Sequence, residues 1–423
     1  MEPIFSTWGA VGALALAIAL IVRKTPPAYA LIFAALVGGL AGGGGLEPTV
    51  NAMIDGAKGM MPAVLRILAS GVLAGALIRT GAAARMADAI VGGLGVRFAL
   101  PAVALASMVV CAVGIFLDIA VITVAPIALA VGRRANLPVP ALLLAMVGGG
   151  KAGNIISPNP NTIAAADAFK VDLTALILEN VFPALIAFAA AVALAAFVAR
   201  SRRGQYDVSA DMVPTGGDDA ARPSLWAALA GPVAVVALLV LRPLAGIAVD
   251  PMIALPAGGL VALVATRRLR QAISFSEFGL SKVAGVAVLL VGTGTIAGIV
   301  KASGLNADMI SLMNLCHLPT FALAPVSGVL MAGATASTTA GATVASQTFA
   351  DTLLAAGVPA VSAAAMIHAG AIVLDSLPHG SFFHASGGAV SMPFGERLRL
   401  VPYDALVGLA ATLAATVKYM VLP

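Results

Sequence analysis

The chain has 423 residues, of which 60% are hydrophobic and only 10% are charged, and its mean hydropathy is +1.03. Because soluble domains carry about 25% charged residues, this composition excludes a soluble globular protein and predicts a bundle of membrane-spanning helices. The net charge of +5 indicates which loops stay at the cytoplasmic face, and no basic patch interleaved with aromatic residues indicates a nucleic-acid partner.

The first half of the chain predicts apolar helices that end in polar or basic loops. We expect apolar elements at residues 8–22, 29–46, 60–77, 98–131, 141–168 and 173–199. Arginines flank the 98–131 run at both ends, so both ends belong on one side of the membrane. Two crossings or one re-entrant hairpin satisfy this pattern, and Gly114 and Asp118 at its centre favour the hairpin.

Residues 200–223 are the one clearly polar linker, and the sequence after it repeats the first part. Gly38 matches Gly258 and Pro158 matches Pro378 at the same offset. The loop after the second helix of each half carries opposite charge, acidic in the first copy and basic at Arg267 in the second. Basic loops stay inside, so residues 1–199 and 224–423 are predicted to be inverted repeats around a cytoplasmic linker, with both termini outside.

Four interruptions of the apolar pattern are the candidate binding site. Residues 148–162 combine three glycines, two prolines and three asparagines, which we expect to break a helix inside the membrane unless they form an ordinary external loop. The centres of the 98–131 and 321–354 runs and a break at 375–381 complete the set. Hydroxyls, amides and free backbone donors suit an anion, although membrane Ser and Thr also satisfy neighbouring carbonyls. The predicted substrate ligands are Lys151, Asn154, Ser157, Asn159, Asn161, Thr162, Thr335, Ser337, Thr338, Thr339, Ser376 and His379.

Ionisable residues at membrane depth are costly unless they are paired or hydrated, so they are candidates for proton coupling. Asp375 and His379 are four residues apart and are expected to face each other as a proton-binding pair, with a structural ion pair or cap as the alternative. Lys151 is either a charge partner for an anionic substrate or a salt-bridge partner for Asp118 or Asp375. His368 is expected to be a satisfied packing residue, and Cys111 and Cys316 are expected to be small buried side chains. The predicted proton-coupling residues are Asp118, Asp375, His379 and His384.

Three short motifs carry a resemblance to a known family. They are residues 116–118 in an apolar run, Pro158-x-Pro160 followed by three alanines at 164–166, and Asp375-Ser-Leu-Pro-His-Gly380. The chain resembles the gluconate permease family of the ion transporter superfamily. The resemblance implies a proton-coupled secondary transporter for small hydroxy acids. It also implies a homodimer of inverted repeats, each with about five spanning helices and a re-entrant hairpin, that moves its substrate domain as an elevator. The chain departs from the family pattern at residues 157–162, where Asn and Thr oxygens leave sodium coupling open.

The motifs of other function classes are missing from the sequence. It has no His-x-x-x-His metal set, no Gly-x-Ser-x-Gly elbow and no Gly-x-x-x-x-Gly-Lys-Ser/Thr phosphate loop. We therefore expect no enzyme, no metal and no cofactor, and an ion gradient as the energy source. The predicted function is cation symport of a small organic anion across the cell inner membrane by an all-α, multi-pass protein. The proton is the favoured cation and sodium the alternative, with a channel or a membrane-embedded enzyme as the remaining alternatives.

Overall fold

A computed structural model of the protein describes residues 3–201, 223–305 and 319–421 except His379, together with residues 307, 308, 311 and 315. The regular structure of this described part is helical throughout, which confirms the predicted all-α class. His379, Cys316 and nearly all of the predicted 200–223 linker lie outside the described residues.

The first half contains eleven α-helices in its described part. They are α1 (Thr7–Val22), α2 (Pro27–Ala41), α3 (Leu46–Gly59), α4 (Met61–Arg79), α5 (Ala82–Leu94), α6 (Ala99–Ala112), α7 (Leu117–Ala135), α8 (Val139–Ile155), α9 (Pro160–Ala168), α10 (Leu173–Glu179) and α11 (Val181–Ser201).

The described part of the second half contains nine more. They are α12 (Leu225–Ala245), α13 (Pro251–Ala265), α14 (Ala272–Lys301), α15 (Leu323–Thr335), α16 (Thr338–Ala355), α17 (Ala360–Ala371), α18 (Ser381–Ala389), α19 (Phe394–Leu398) and α20 (Val401–Val421). The single long helix α14 follows α13, whereas the two helices α3 and α4 follow α2. The inverted repeat itself stays a prediction.

The described chain contains five helical segments that are long and apolar enough to cross a membrane. They are Met61–Arg79, Val139–Ala168, Val181–Ser201, Leu269–Lys301 and Phe394–Val421. The pair Ala82–Leu94 and Val96–Ala112 is bent by 108°, and six further apolar helices are shorter. The helices α3 and α5 were not predicted as separate elements. Because Gly45 has a positive φ of 73°, the chain turns sharply after α2, and the predicted second helix ends at Ala41 instead of residue 46.

The three glycines at 148–150 do not break the helix, so this part of the prediction is wrong. They lie inside α8, which continues to Ile155, and the break is confined to residues 156–159. A Cβ at Gly149 would lie 2.0 Å from the carbonyl oxygen of Ala104 on α6, and one at Gly148 would lie 2.4 Å from the Cβ of Ala191 on α11. The glycines therefore allow close helix packing, the use that membrane proteins make of small residues.

Two helix hairpins form where the sequence predicts them. The helices α6 and α7 pack against each other and reverse at 113–116, and α15 and α16 do so at Ala336 and Ser337. A Cβ at Gly328 would lie 2.3 Å from the carbonyl oxygen of Ile367, so α15 packs on α17 as closely as α6 packs on α8. Each hairpin is thus fixed to the helix that precedes a break. That the hairpins are re-entrant stays a prediction.

A second layer of helices supports this core. The helix α14 packs along α2, α3 and α4, and α4 also packs against α13. Trp8 and Trp226 on α1 and α12 are more than four-fifths exposed. Large exposed apolar side chains of this kind suit a surface that faces lipid.

Candidate functional site: a pocket at the hairpin tips

The tips of both hairpins and both helix breaks meet at one pocket. Its volume is about 290 Å³, which is at the lower end of the roughly 300–1,000 Å³ of pockets for drug-sized ligands. A ligand that fits inside is therefore a small molecule. Seven residues predicted as substrate or coupling residues line this pocket: Asp118, Asn154, Asn161, Ser337, Thr338, Thr339 and Asp375.

Four helices begin at the pocket. The first turns of α7, α9, α16 and α18 supply Asp118, Asn161, Thr338 and Ser381 to its wall. Helix N-termini carry partial positive charge and unpaired backbone N–H groups, so four of them at one cavity favour an anion. The N-termini of α9 and α16 are capped by side chains, whereas α18 begins after Gly380 with no side-chain cap.

The first break is held by its three asparagines. The Oδ1 of Asn159 accepts hydrogen bonds from the backbone N–H groups of Asn161 and Thr162 at 2.9 and 3.2 Å, so Asn159 caps α9. The Oδ1 of Asn154 accepts from the side-chain amides of Asn159 and Asn161 at 2.5 and 3.0 Å. The first break is linked here to the second hairpin, because the hydroxyl of Thr339 donates to Asn161 Oδ1 at 2.6 Å.

The same network leaves one donor unused. The Nδ2 of Asn154 is buried and has no hydrogen-bond partner among the described residues, while Asn154 lines the pocket. Its Oδ1 already accepts two amide hydrogen bonds, so the network sets which amide atom is free. A buried donor without a partner costs about 1–3 kcal/mol, and a ligand oxygen would satisfy it.

Lys151 forms a buried salt bridge with Asp375, which decides between its two predicted partners. The Nζ–Oδ1 distance is 2.8 Å, and the side chains are 0% and 2% exposed. The ammonium group also donates to the carbonyl oxygens of Ile372 and Asp404 at 2.7 and 3.0 Å. An ammonium has three donors, and all three are used. In this conformation Lys151 therefore has no donor left for a substrate.

The carboxylate of Asp375 has three partners. It accepts hydrogen bonds from Ser376 at 2.9 Å and Thr338 at 2.6 Å in addition to the salt bridge. Asp375 lies in the break after α17, and its predicted pairing with His379 falls on a residue outside the described part of the chain. The side chain of Asp375 is therefore held by one ammonium group and two hydroxyl groups in this conformation.

Several predicted residues are structural in this conformation. The hydroxyl of Ser157 donates to the carbonyl oxygen of Cys111, and that of Thr335 donates to the carbonyl oxygen of Met331. Ser337 caps α16, and His384 is exposed with its Nε2 2.9 Å from the carbonyl oxygen of Pro378. In these contacts the side chains hydrogen-bond to nearby backbone groups, which is the alternative to substrate binding that the sequence left open for Ser and Thr.

His368 and Cys111 are both buried, but only one of them matches its prediction. Neither ring nitrogen of His368 has a hydrogen-bond partner in the described structure, so the expectation of a satisfied histidine is wrong. The side chain of His368 is fully buried, and its helix α17 packs against α15, α16 and α20. Cys111 is the small buried side chain that was expected.

Sequence reasoning missed Lys282, Arg397 and Asp404. Lys282 lines the pocket from α14. Arg397 and Asp404 form a second buried salt bridge at 2.6 Å, and Arg397 also donates to Ser386 of α18 at 3.0 Å. The sequence signal common to all three is a charge inside or beside a long apolar run.

The spanning helices, paired hairpins and central small-molecule pocket together define a membrane permease. The sequence profile of GntP family permeases matches residues 6–386, and the chain belongs to this family. The predicted resemblance to the gluconate permeases is thereby confirmed, and the protein is a transporter and not an enzyme.

Related proteins agree with this placement. An uncharacterized transporter from Haemophilus influenzae is 50% identical over 414 residues, which is 98% of each chain. An uncharacterized permease from the same organism is 28% identical over 170 residues, covering 40% of this chain and 35% of its own. The crystal structure of the Alcanivorax borkumensis YdaH transporter, described as having an unusual topology, matches with a TM-score of 0.65 at 16% identity. The match covers 95% of this chain and 98% of that one and shows a similar fold.

Proposed function

We propose that the protein is a secondary active transporter that takes up a small organic anion together with a proton across the cell inner membrane. The observation that carries this proposal is the convergence of four helix N-termini on a pocket of about 290 Å³. These N-termini provide positive potential and backbone donors, and Asn154 adds an unpaired amide donor. Hydroxy acids, sugar acids and other small carboxylates have the size and the oxygens that such a pocket accepts.

The proton is assigned to Asp118. This residue is on the pocket wall at the tip of the first hairpin and is exposed, whereas Asp375 is buried in its salt bridge. An anion that enters the pocket adds negative charge beside the Asp118 carboxylate, and like charges at close range favour protonation of one of them. Binding of the anion and binding of the proton therefore promote each other.

Sodium is the alternative coupling ion, and the asparagine cluster at 154–162 would be its site. The described contacts favour the proton over sodium. Two donors already point at Asn154 Oδ1 and three at Asn159 Oδ1. A sodium ion would have to replace hydrogen bonds that now cap α9 and hold the break.

We infer that the hairpins and broken helices move together as the substrate-carrying unit of an elevator in a homodimer, as the family resemblance implies. Close glycine contacts join α6 to α8 and α15 to α17, so each hairpin would travel with its broken helix. Arg66 on α4 contacts both Asp167 at the end of α9 and Asp250 before α13. This ion cluster links the broken helix to the surrounding layer, and such a movement would have to rearrange it.

Transport by purified protein in proteoliposomes tests the proposal. The substrates are radiolabelled gluconate, glycerate and lactate, each offered under an imposed proton gradient without sodium. We expect uptake that concentrates at least one carboxylate and collapses with a protonophore. The Asp118→Asn variant should still exchange labelled for unlabelled substrate, but it should no longer accumulate it, because the site then holds a permanently neutral side chain.

Two results contradict the proposal in different ways. If uptake requires sodium and does not depend on the proton gradient, the coupling ion is sodium and not the proton. Uptake of none of these or other small carboxylates, by protein shown to be folded, removes the organic anion as the substrate class.

A further inference from the structure

We propose that Lys282 is the positive charge that pairs with the substrate, and that it restricts the transported anions to those with a single negative charge. This inference rests on the proposed function and deepens it.

Lys282 reaches the pocket from outside the hairpins and breaks. It is the eleventh residue of α14, about 15 Å from the start of that helix, and it lines the pocket with Gly285 and Leu289 of the following turns. Its Nζ lies 5.0 Å from the centroid of the Phe278 ring, and Arg79 lies 4.5 Å from the same ring. The aromatic ring holds the ammonium group by a cation–π contact without neutralising its charge.

The two lysines near the pocket differ in what they have left to offer. All three donors of Lys151 are used by Asp375 and two carbonyl oxygens. In the described part of the chain, no carboxylate lies within salt-bridge distance of Lys282. Lys282 is exposed at the pocket and is therefore the cation that an incoming carboxylate can reach.

The ionisable groups around Asp118 come from several elements. Lys282 of α14 and Asp375 of the second break line the pocket together with Asp118. The helices that pack against α7 carry Cys111 on α6, Lys151 on α8 and His384 on α18. Cys111 is a buried thiol, Lys151 and Asp375 neutralise each other, and His384 is exposed beside Pro378. Within the described residues, Lys282 is the cation on the pocket wall that attracts the Asp118 carboxylate.

This arrangement determines a charge balance. With an empty site, the charges of Asp118 and Lys282 offset each other. A substrate carboxylate that pairs with Lys282 replaces Asp118 as its counterion, and a proton on Asp118 then restores neutrality. One monovalent anion and one proton therefore fill the site without net charge, whereas a dianion leaves one negative charge uncompensated in a membrane-embedded pocket.

Binding measurements on purified protein test the role of Lys282. Gluconate, glycerate and lactate are titrated beside their neutral amides and the dicarboxylates glucarate and tartronate. Lys282→Gln and Lys282→Met should weaken binding of the monocarboxylates by about 10- to 100-fold and change binding of the amides little. Lys282→Arg should retain most of the affinity. The matched control is Lys301→Gln, an exposed lysine on the same helix about 28 Å away that faces Asp351 at 3.9 Å.

A transport measurement adds an independent readout. Uptake of the monocarboxylate should be electroneutral in proteoliposomes and insensitive to an imposed membrane potential. The pH dependence of binding should disappear in Asp118→Asn. Thermal unfolding of each Lys282 variant confirms that it is folded.

The outcomes separate this inference from the proposed function. If wild-type protein binds carboxylates and the folded Lys282 variants bind them equally well, Lys282 is not the countercharge, while the proposed function stands. A wild-type preference for the dicarboxylates, or current during uptake of a monoanion, overturns the charge rule. Wild-type protein that neither binds nor transports any carboxylate contradicts the proposed function, and the inference is then wrong with it.

Discussion

Replacing Lys151 by methionine should destabilise the protein strongly, because it leaves a buried carboxylate without its cation. Asp375 is 2% exposed, and after the change it would keep only the hydroxyl donors of Ser376 and Thr338. Removal of one partner of a buried ion pair costs about 3–5 kcal/mol. The carbonyl oxygens of Ile372 and Asp404 lose their donor as well, so the upper part of this range is expected.

The assay is equilibrium unfolding of the purified protein in mixed micelles with increasing SDS, followed by circular dichroism. Asp375→Asn should cost a similar amount, since it strands the ammonium group. The double variant Lys151→Met/Asp375→Asn should be less destabilised than either single variant, because neither charge remains. As a control, Lys301→Met breaks an exposed pair and should change the free energy of unfolding by no more than about 1 kcal/mol. If a single variant is too unstable to purify, recovery of folded protein in the double variant gives the same comparison. Costs that simply add in the double variant would refute the buried pair.

Further predictions concern the free amide, the glycine packing, the outer ion cluster and the topology. Asn154→Ala should weaken carboxylate binding by about 1–3 kcal/mol. The control Asn180→Ala changes a buried amide that is unpaired within the described structure and does not line the pocket, so it should leave binding unchanged. Equal binding losses in the two variants would contradict the assignment of Asn154 as a substrate ligand. Gly149→Leu should prevent folding or lower the free energy of unfolding in SDS by several kcal/mol, because even a Cβ at this position would lie 2.0 Å from the carbonyl oxygen of Ala104. A stable variant would contradict the close packing of α8 on α6. The Arg66 guanidinium beside Asp250 holds the pKa of that carboxyl below its ordinary value of 3.8. The stability that wild type has over Asp250→Asn should therefore be present above pH 3.8 and shrink as the pH falls through the lowered pKa. A stability difference that grows in acid would contradict this prediction. Cysteine introduced at Thr215 in a cysteine-free protein should resist impermeant maleimide added to sealed cells, and ready labelling there would contradict the cytoplasmic linker.

The positions of the hairpins and breaks could be predicted because each of them is a local chemical signal. Asn159 and Pro160 open a helix by capping and by a missing donor, and Ser337 does so by capping. These effects act within a few residues of the chain, so they can be read without knowledge of the neighbours. The all-α class follows in the same way from long apolar runs.

The glycines at 148–150 were misread because their role depends on what lies opposite. Propensity alone disfavours a helix there, but α6 and α11 approach so closely that only glycine fits. Burial of the whole helix then outweighs the intrinsic preference of three residues.

The roles of the charged residues were a matter of three-dimensional arrangement. A lysine at depth must have a partner, and the sequence offered Asp118 and Asp375 equally; the contact between Lys151 and Asp375 joins positions more than 200 residues apart. This pairing occupies the ammonium group of Lys151 and one oxygen of Asp375, while Asp118 and Lys282 also line the pocket. Local chemistry thus set where the helices break and which polar groups gather there. Long-range packing, which places residues of both halves within a few ångströms, selected which of those groups neutralise each other and which remain open to a ligand.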